Sequence, residues 1–166
     1  MHLPTENTLR ASGVPFTILR NGWYTENYAR DIPTVRETGV LLSSTGGGTV
    51  ASASRRDLAE AIATVVVTDG HENKTYELAG DIAWTYDELA AALAQVLGRE
   101  VAHRKVSSDE HRAILTGAGV PEQFVEMAVA VDAGLRAGAM GFRNGDLSRL
   151  IGRPTTPLIE TLRTLV

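Results

Sequence analysis

An α/β fold is predicted for this chain, on three observations. Helical and strand-like segments alternate along its length. The first strand-like run, Val14-Pro15-Phe16-Thr17-Ile18-Leu19-Arg20, is nearly free of polar positions, as expected for a strand buried on both faces. Two Ser/Thr-x-x-Glu capping boxes, Thr85/Glu88 and Ser107/Glu110, mark helix starts, the second directly after a strand-like stretch.

The elements follow in order. A short helix over 5–12 is capped by Thr5 and stopped by Gly13. After the first strand, Asn21-Gly22 breaks the chain, and Trp23 to Arg30 reads as a loop or short helix that Pro33 limits. Val40 to Leu42 and Val50 to Ala53 read as strands on either side of a loose Gly-rich turn. Ser54 opens a helix with Leu58, Ala61, Ile62, Val65 and Val66 on one apolar face. Thr75 to Leu78 alternates like a strand.

The Thr85 capping box starts a helix with Leu89, Leu93, Val96 and Leu97 along one side. Val101 to Val106 is a strand, and Ser107 starts the next helix. Pro121 suits the first position of a longer helix, whose inner face is read as Phe124, Met127, Ala128, Val131 and Leu135. Asp146 caps a short helix, and Thr156-Pro157 starts the last. The first strand suits the middle of a parallel sheet, yet the later strands are short or half-polar. A sheet of these pieces alone leaves it poorly covered, which points to a preceding segment.

Composition narrows the function classes. The 166 residues fit one domain, 43% hydrophobic and 22% charged, an ordinary globular balance. Net charge is −4 and the only dense basic pair, Arg55-Arg56, is followed by Asp57, so a nucleic-acid partner is not expected. Without cysteine there is no disulfide and no thiolate catalysis. No run is long and apolar enough to span a membrane, and the first residues carry no basic or apolar leader, so the expectation is a cytoplasmic protein. His2, His71, His103 and His111 lack metal-ligand spacing and are read as surface or structural, so no metal is expected.

Asn21-Gly22-Trp23-Tyr24 carries the candidate site. In open α/β sheets ligands sit beyond the carboxyl ends of strands. Asn21 offers a donor and an acceptor there, and Gly22 allows close approach of a planar ring. Trp23 and Tyr24 can supply flat walls. From spacing alone, an Asn-Gly turn followed by core aromatics is the favoured reading of these residues. Arg20 is as readily a carboxylate-paired strand end as a ligand contact. Gly46-Gly47-Gly48 lies between two strands rather than between a strand and a helix, so it is a turn and not a phosphate loop. No Tyr is followed four residues later by Lys, and there is no Gly-x-Ser-x-Gly elbow.

The run Thr17 to Tyr28 resembles the segment after the fifth strand of the NmrA-like, atypical short-chain dehydrogenase family, particularly its bacterial quinone-reducing branch. His2 to Glu6, Ala51 to Ala59, Tyr76 to Asp81 with Trp84-Thr85, and Leu150 to Leu158 resemble further family segments. The resemblance implies the C-terminal part of a Rossmann-like NAD(P)-binding fold whose N-terminal βαβ nucleotide-binding half is missing. It implies hydride transfer from NAD(P)H to a quinone-like acceptor in the complete protein, with NADP (as NADPH) favoured over NAD. Asn21, Gly22, Trp23, Tyr24 and Glu26 would then border the cofactor; no catalytic residue is assigned. The competing readings are a dinucleotide-binding redox sensor without turnover, and an inactive fragment. Such a fragment would pair with a missing N-terminal half or self-associate through the exposed edge of its sheet.

Overall fold

The computed structural model describes residues 3–166; the expectations placed on His2 lie outside them. Helix α1 (Leu3–Ala11) leads into strand β1 (Thr17–Asn21), a 3₁₀ segment (Thr25–Arg30), α2 (Ile32–Thr38), β2 (Val40–Ser43) and β3 (Thr49–Val50). Then come α3 (Arg55–Val67), β4 (Lys74–Leu78), β5 (Trp84–Thr85), α4 (Tyr86–Leu97) and β6 (Ala102–Lys105). Four helices complete the chain: α5 (Ser108–Gly117), α6 (Glu122–Arg136), α7 (Asp146–Ile151) and α8 (Leu158–Arg163).

The strands form three small pairs rather than one broad sheet. β1 runs parallel to β4, with Ile18 beside Thr75 and Asn21 beside Leu78. β2 runs parallel to β6, and β3 antiparallel to β5. Parallel pairs reached through intervening helices are the signature of an α/β fold. Just past β1 the chain stays extended: Tyr24 bridges Ala53, Ala53 N–H donates to the Trp23 carbonyl, and Thr25 N–H donates to the Ala53 carbonyl.

The cap signals are realised. The Thr85 hydroxyl accepts from Glu88 N–H while Glu88 returns to Thr85 N–H, and Ser107 and Glu110 repeat the arrangement. The Ser54 hydroxyl accepts from Asp57 N–H at the start of α3. Three local readings shift. Thr5 lies inside α1 rather than capping it. Pro33 does not prevent a helix, because it occupies the first turn of α2, where no intrahelical N–H is needed. Gly145, not Asp146, caps α7, and Asp146 instead accepts Glu77 N–H and so ties α7 to β4.

Two cores hold the molecule. The larger centres on Tyr28, Trp84 and Tyr86 with Leu89, Leu93, Leu135 and Leu162. The Tyr28 ring meets Trp84 edge-on at 5.3 Å and Tyr86 at 6.1 Å, a favoured aromatic geometry. The smaller packs α3 and α7 on the β1–β4 pair through Leu58, Ala61, Leu78 and Leu147. Asp57, fully buried, links α3 to the C-terminal segment: it receives Thr156 N–H at 2.6 Å, the Thr156 hydroxyl at 2.8 Å and Arg153 at 2.8 Å.

Two apolar stripes read as core are not. On α3, Leu58 and Ala61 are buried, but Ile62 and Val66 are exposed. On α6, the buried side is Val125, Val129, Asp132 and Leu135, whereas Phe124 and Met127 are about half exposed. β1 is likewise thinly covered: Ile18 alone is buried, and β4 is its one paired neighbour among the described residues.

Candidate functional site

β1 and β4 end side by side, and the chain leaves β1 through Asn21-Gly22. Gly22 N–H donates to the Leu78 carbonyl at 2.9 Å, which extends the parallel ladder by one bond. A Cβ at Gly22 would stand 3.0 Å from that carbonyl oxygen, so glycine is what the close approach allows. Across the turn, Gly80 N–H donates to the Ala51 carbonyl, and a Cβ at Gly80 would fall 2.2 Å from the Ser52 carbonyl oxygen. Below, the Ser52 hydroxyl joins the Thr25 hydroxyl at 2.7 Å and accepts the Trp84 indole N–H at 3.2 Å. Residues 22–25 are thereby fixed between the end of β4 and segment 51–53.

A cleft of about 230 Å³ opens at this point, walled by Asn21, Gly22, Trp23, Ala79, Met140 and Phe142. It meets a second hollow of about 340 Å³ along Trp23, Ala139 and Met140. That hollow is apolar and floored by α6, where Met127, Ala130, Val131 and Gly134 fall at helical spacing. The half-exposed Met127 is therefore a wall of a cavity. A helix facing a cavity and a helix facing a core carry the same apolar spacing, which is why the sequence misassigned this face.

The cleft has little chemistry of its own. Its two ionisable wall residues, Arg20 and Glu77, are paired at 2.5 Å. Arg20 also grips Glu6 with two bonds, 2.8 and 2.6 Å. Hydrogen bonds to Glu6 and Glu77 raise the Arg20 pKa, and the Arg20 bond holds that of Glu6 below the usual carboxylate range. Arg20 is thus the carboxylate-paired strand end, locking α1 to the sheet.

The five expected contact residues do not share one surface. Asn21, Gly22 and Trp23 line the cleft. Tyr24 turns the other way, as successive residues of extended chain must. It lies with Asn21 along an open groove between α1 and β1, its ring under the Arg55 guanidinium at 5.4 Å and its hydroxyl 3.3 Å from Asn21 Nδ2. Glu26 faces a third hollow beside Ser54 and Arg56; one carboxylate oxygen accepts Arg55 N–H and the other is buried without a partner. Ala79, Ala139, Met140 and Phe142 were not anticipated, since nothing in the Gly-rich 138–145 stretch fixes where it folds back.

Gly46 to Gly48 forms a turn, with Gly48 N–H donating to Thr45. A Cβ at Gly48 would stand 2.3 Å from the Leu135 carbonyl oxygen, so this glycine serves packing against α6. The three described histidines have structural partners: His71 with Tyr76, His103 with Asp87 and Ser43, His111 with Ser44 and, at 3.1 Å, Asp132.

No family model matches the chain. It is 43% identical to quinone oxidoreductase 2 of Escherichia coli over 99% of its own length and 57% of the relative's. It is 30% identical to an NmrA-like oxidoreductase of Aspergillus flavus, over 99% of the chain and 54% of that protein. Two solved structures superpose closely: the Escherichia coli enzyme with NADPH, at TM-score 0.92 and 43% identity, and the Citrobacter sp. triphenylmethane reductase with NADP(H), at 0.93 and 40%. Each superposition covers 99% of this chain and 58% of the other.

The chain belongs with the NmrA-like oxidoreductases. Its α/β architecture is part of the Rossmann-like fold of those structures. It spans somewhat more than half the length of the relatives it matches. As an NmrA-like chain, it keeps the end of a parallel strand pair and the apolar hollow beside it. Among the described residues, no glycine-rich strand-to-helix turn that could cradle phosphates accompanies them.

Proposed function

We propose that the chain forms the ring-binding and acceptor side of an NADPH-dependent reductase, with a planar quinone-like acceptor seated against α6. The observation that carries this reading is the joined pair of cavities at Asn21-Gly22-Trp23, one with a polar rim and one apolar. The Escherichia coli and Citrobacter relatives solved with NADPH or NADP(H) support NADP over NAD. The first cleft, at about 230 Å³, suits a ring and not a whole dinucleotide. The residues present therefore fit the nicotinamide end of the cofactor, and its phosphates would need a segment beyond the described residues.

A reduced nicotinamide, when bound, supplies the hydride. The chain's own residues supply position. Asn21 offers its carboxamide at the strand end to a ring amide. Gly22 lets the ring lie close to the backbone. Trp23, Met140 and Val131 form an apolar wall that holds the acceptor in place. With Arg20 and Glu77 tied to one another, no free acid faces the cleft, and the reduced acceptor oxygens take protons from water. Tyr24 stands further along, where the groove beside α1 continues from Asn21, whereas Glu26 lies apart in the hollow beside Ser54 and Arg56.

The test is reconstitution. The chain is joined to the portion of the Escherichia coli relative that it does not span, and NADPH oxidation by benzoquinone is followed. Turnover that falls at least about tenfold in Asn21→Ala or Gly22→Val supports the reading, the size of one lost oriented contact. NADPH binding without turnover favours a sensor. Turnover indifferent to both substitutions overturns the assignment of the cleft.

A further inference from the structure

The segment between α6 and α7 carries Phe142, which is 61% exposed and yet belongs to the wall of the cleft at Asn21. The backbone on either side of it is pinned. The Met140 carbonyl accepts Ala51 N–H at 2.7 Å. At Gly141 a Cβ would stand 2.5 Å from the Thr49 hydroxyl oxygen, so the chain lies tight against β3. Arg143 reaches the Asp81 carbonyl at 3.4 Å, and Asn144 Oδ1 accepts Asp146 N–H at 3.0 Å where α7 begins. A single exposed apolar side chain is ordinary on a protein surface. One carried by a fixed backbone into the wall of a ring-sized cleft is placed to cover what enters it.

The two cavities at Trp23 fix the side that Phe142 takes. Trp23, Ala139 and Met140 border both the cleft and the apolar hollow on α6, whereas Phe142 borders the cleft alone. The Trp23–Met140 wall is therefore the one shared with the hollow, and Phe142 bounds a part of the cleft away from it. Apart from Trp23, Phe142 is the one aromatic residue of the cleft wall. Flat rings gain from offset or edge contact with an aromatic neighbour, beyond the area they bury.

We propose that Phe142 positions the nicotinamide ring: it covers the face turned away from α6 and leaves the other face to the acceptor in the hollow. This rests on the reading of the cleft given above. A ring covered on one side, in a cleft of about 230 Å³, is kept from turning over. Phe142 thereby sets which face of the ring is used, while Asn21 and Gly22 set where the ring lies.

The test has a binding arm and a labelling arm. Proton NMR contacts from the nicotinamide ring are recorded with NADP in the reconstituted protein, and with nicotinamide mononucleotide at about 10 mM in the 166-residue chain. Contacts to the Phe142 ring together with Asn21 or Trp23 are expected. Contacts to Asn21 and Trp23 without Phe142 overturn this proposal and leave the reading of the cleft standing; contacts to none of the three in either protein remove both. In the labelling arm, NADPH deuterated at one or the other C4 position is oxidised by benzoquinone. The parent is expected to transfer from a single face, Phe142→Ala from both, and Phe142→Tyr from a single face again. Phe142→Ala is also expected to bind NADPH about tenfold more weakly at unchanged acceptor KM. An exposed side chain is removed, so folding is not at stake. Single-face transfer and parental NADPH affinity in Phe142→Ala overturn the proposal.

Discussion

Gly80 and Gly48 show how single atoms set this structure. A Cβ at Gly80 would fall 2.2 Å from the Ser52 carbonyl oxygen, and one at Gly48 2.3 Å from that of Leu135. Both neighbours are backbone and cannot rotate away. Gly80→Ala and Gly48→Ala are each expected to lower unfolding free energy by about 1–3 kcal/mol, read as a smaller urea midpoint at unchanged slope. Gly98→Ala serves as a contrast: it meets no neighbour and suffers only from its left-handed φ of 64°.

Asp31 gives a pH signature at the same scale. Burial, opposed by Arg30, pushes its pKa up from 3.8 to about 6. A carboxyl whose folded pKa is raised binds its proton more tightly in the native state. Its contribution therefore favours folding at low pH and is lost as pH rises from about 4 through about 6. Asp31→Asn is expected to raise the thermal midpoint at pH 7.5–8 relative to the parent, with the difference vanishing below about pH 4; a constant difference across that range would contradict the assignment. Asp57 has the opposite sign. Burial pushes it up, but Thr156 N–H, Arg153 and the Thr156 hydroxyl outweigh that, and its pKa is lowered. Its support is present above the ordinary carboxylate range and is lost as acid protonates it.

Among the elements, α4 and α5 were readable because their starts are local. A capping box needs only four consecutive residues, and both boxes formed with the expected partners. Thr85→Ala is expected to cost about 1 kcal/mol, since it strands Glu88 N–H and removes the hydroxyl's bond to the Glu88 carboxylate, which keeps only the backbone N–H of residue 85. The inner faces of α3 and α6 were not readable. Periodicity shows that one side of a helix is apolar, not what that side meets. On α6 the apolar side is shared between the core, through Val125, Val129 and Leu135, and an open hollow, through Met127 and Val131. Met127→Ala is expected to cost little stability but to weaken acceptor affinity in the reconstituted protein, whereas Leu93→Ala, buried in the same core and away from the hollow, is expected to cost about 2–5 kcal/mol. Urea titration alongside KM separates the two.

For the whole molecule, the arrangement of strands matters more than any one of them. The first strand is apolar enough for a sheet interior, yet Ile18 alone is buried on it, and the groove along α1 and β1 stands open. A strand of this composition gains from neighbours on both edges. The relatives match this chain over little more than half their length, and their superposition at TM-scores of 0.92 and 0.93 places these elements within a larger Rossmann-like fold. Covering the β1 edge with the remaining portion of a relative is expected to raise the thermal midpoint of the chain as well as restore cofactor affinity.

The sequence by itself determined the α/β class, through the alternation of its segments, and the helix starts at Ser54, Thr85 and Ser107, because each start depends on bonds between residues a few positions apart; Asn21-Gly22, which reads as a break, instead continues in extended chain. It also carried the likeness to the NmrA-like oxidoreductases. Only the tertiary structure decided that Trp23 and Tyr24 face opposite ways, that Arg20 is spent on Glu6 and Glu77, and that Met127 and Met140, far from Trp23 in the chain, close a hollow beside it. Those outcomes depend on which surfaces meet across long stretches of chain, and side-chain type and spacing do not encode that meeting locally.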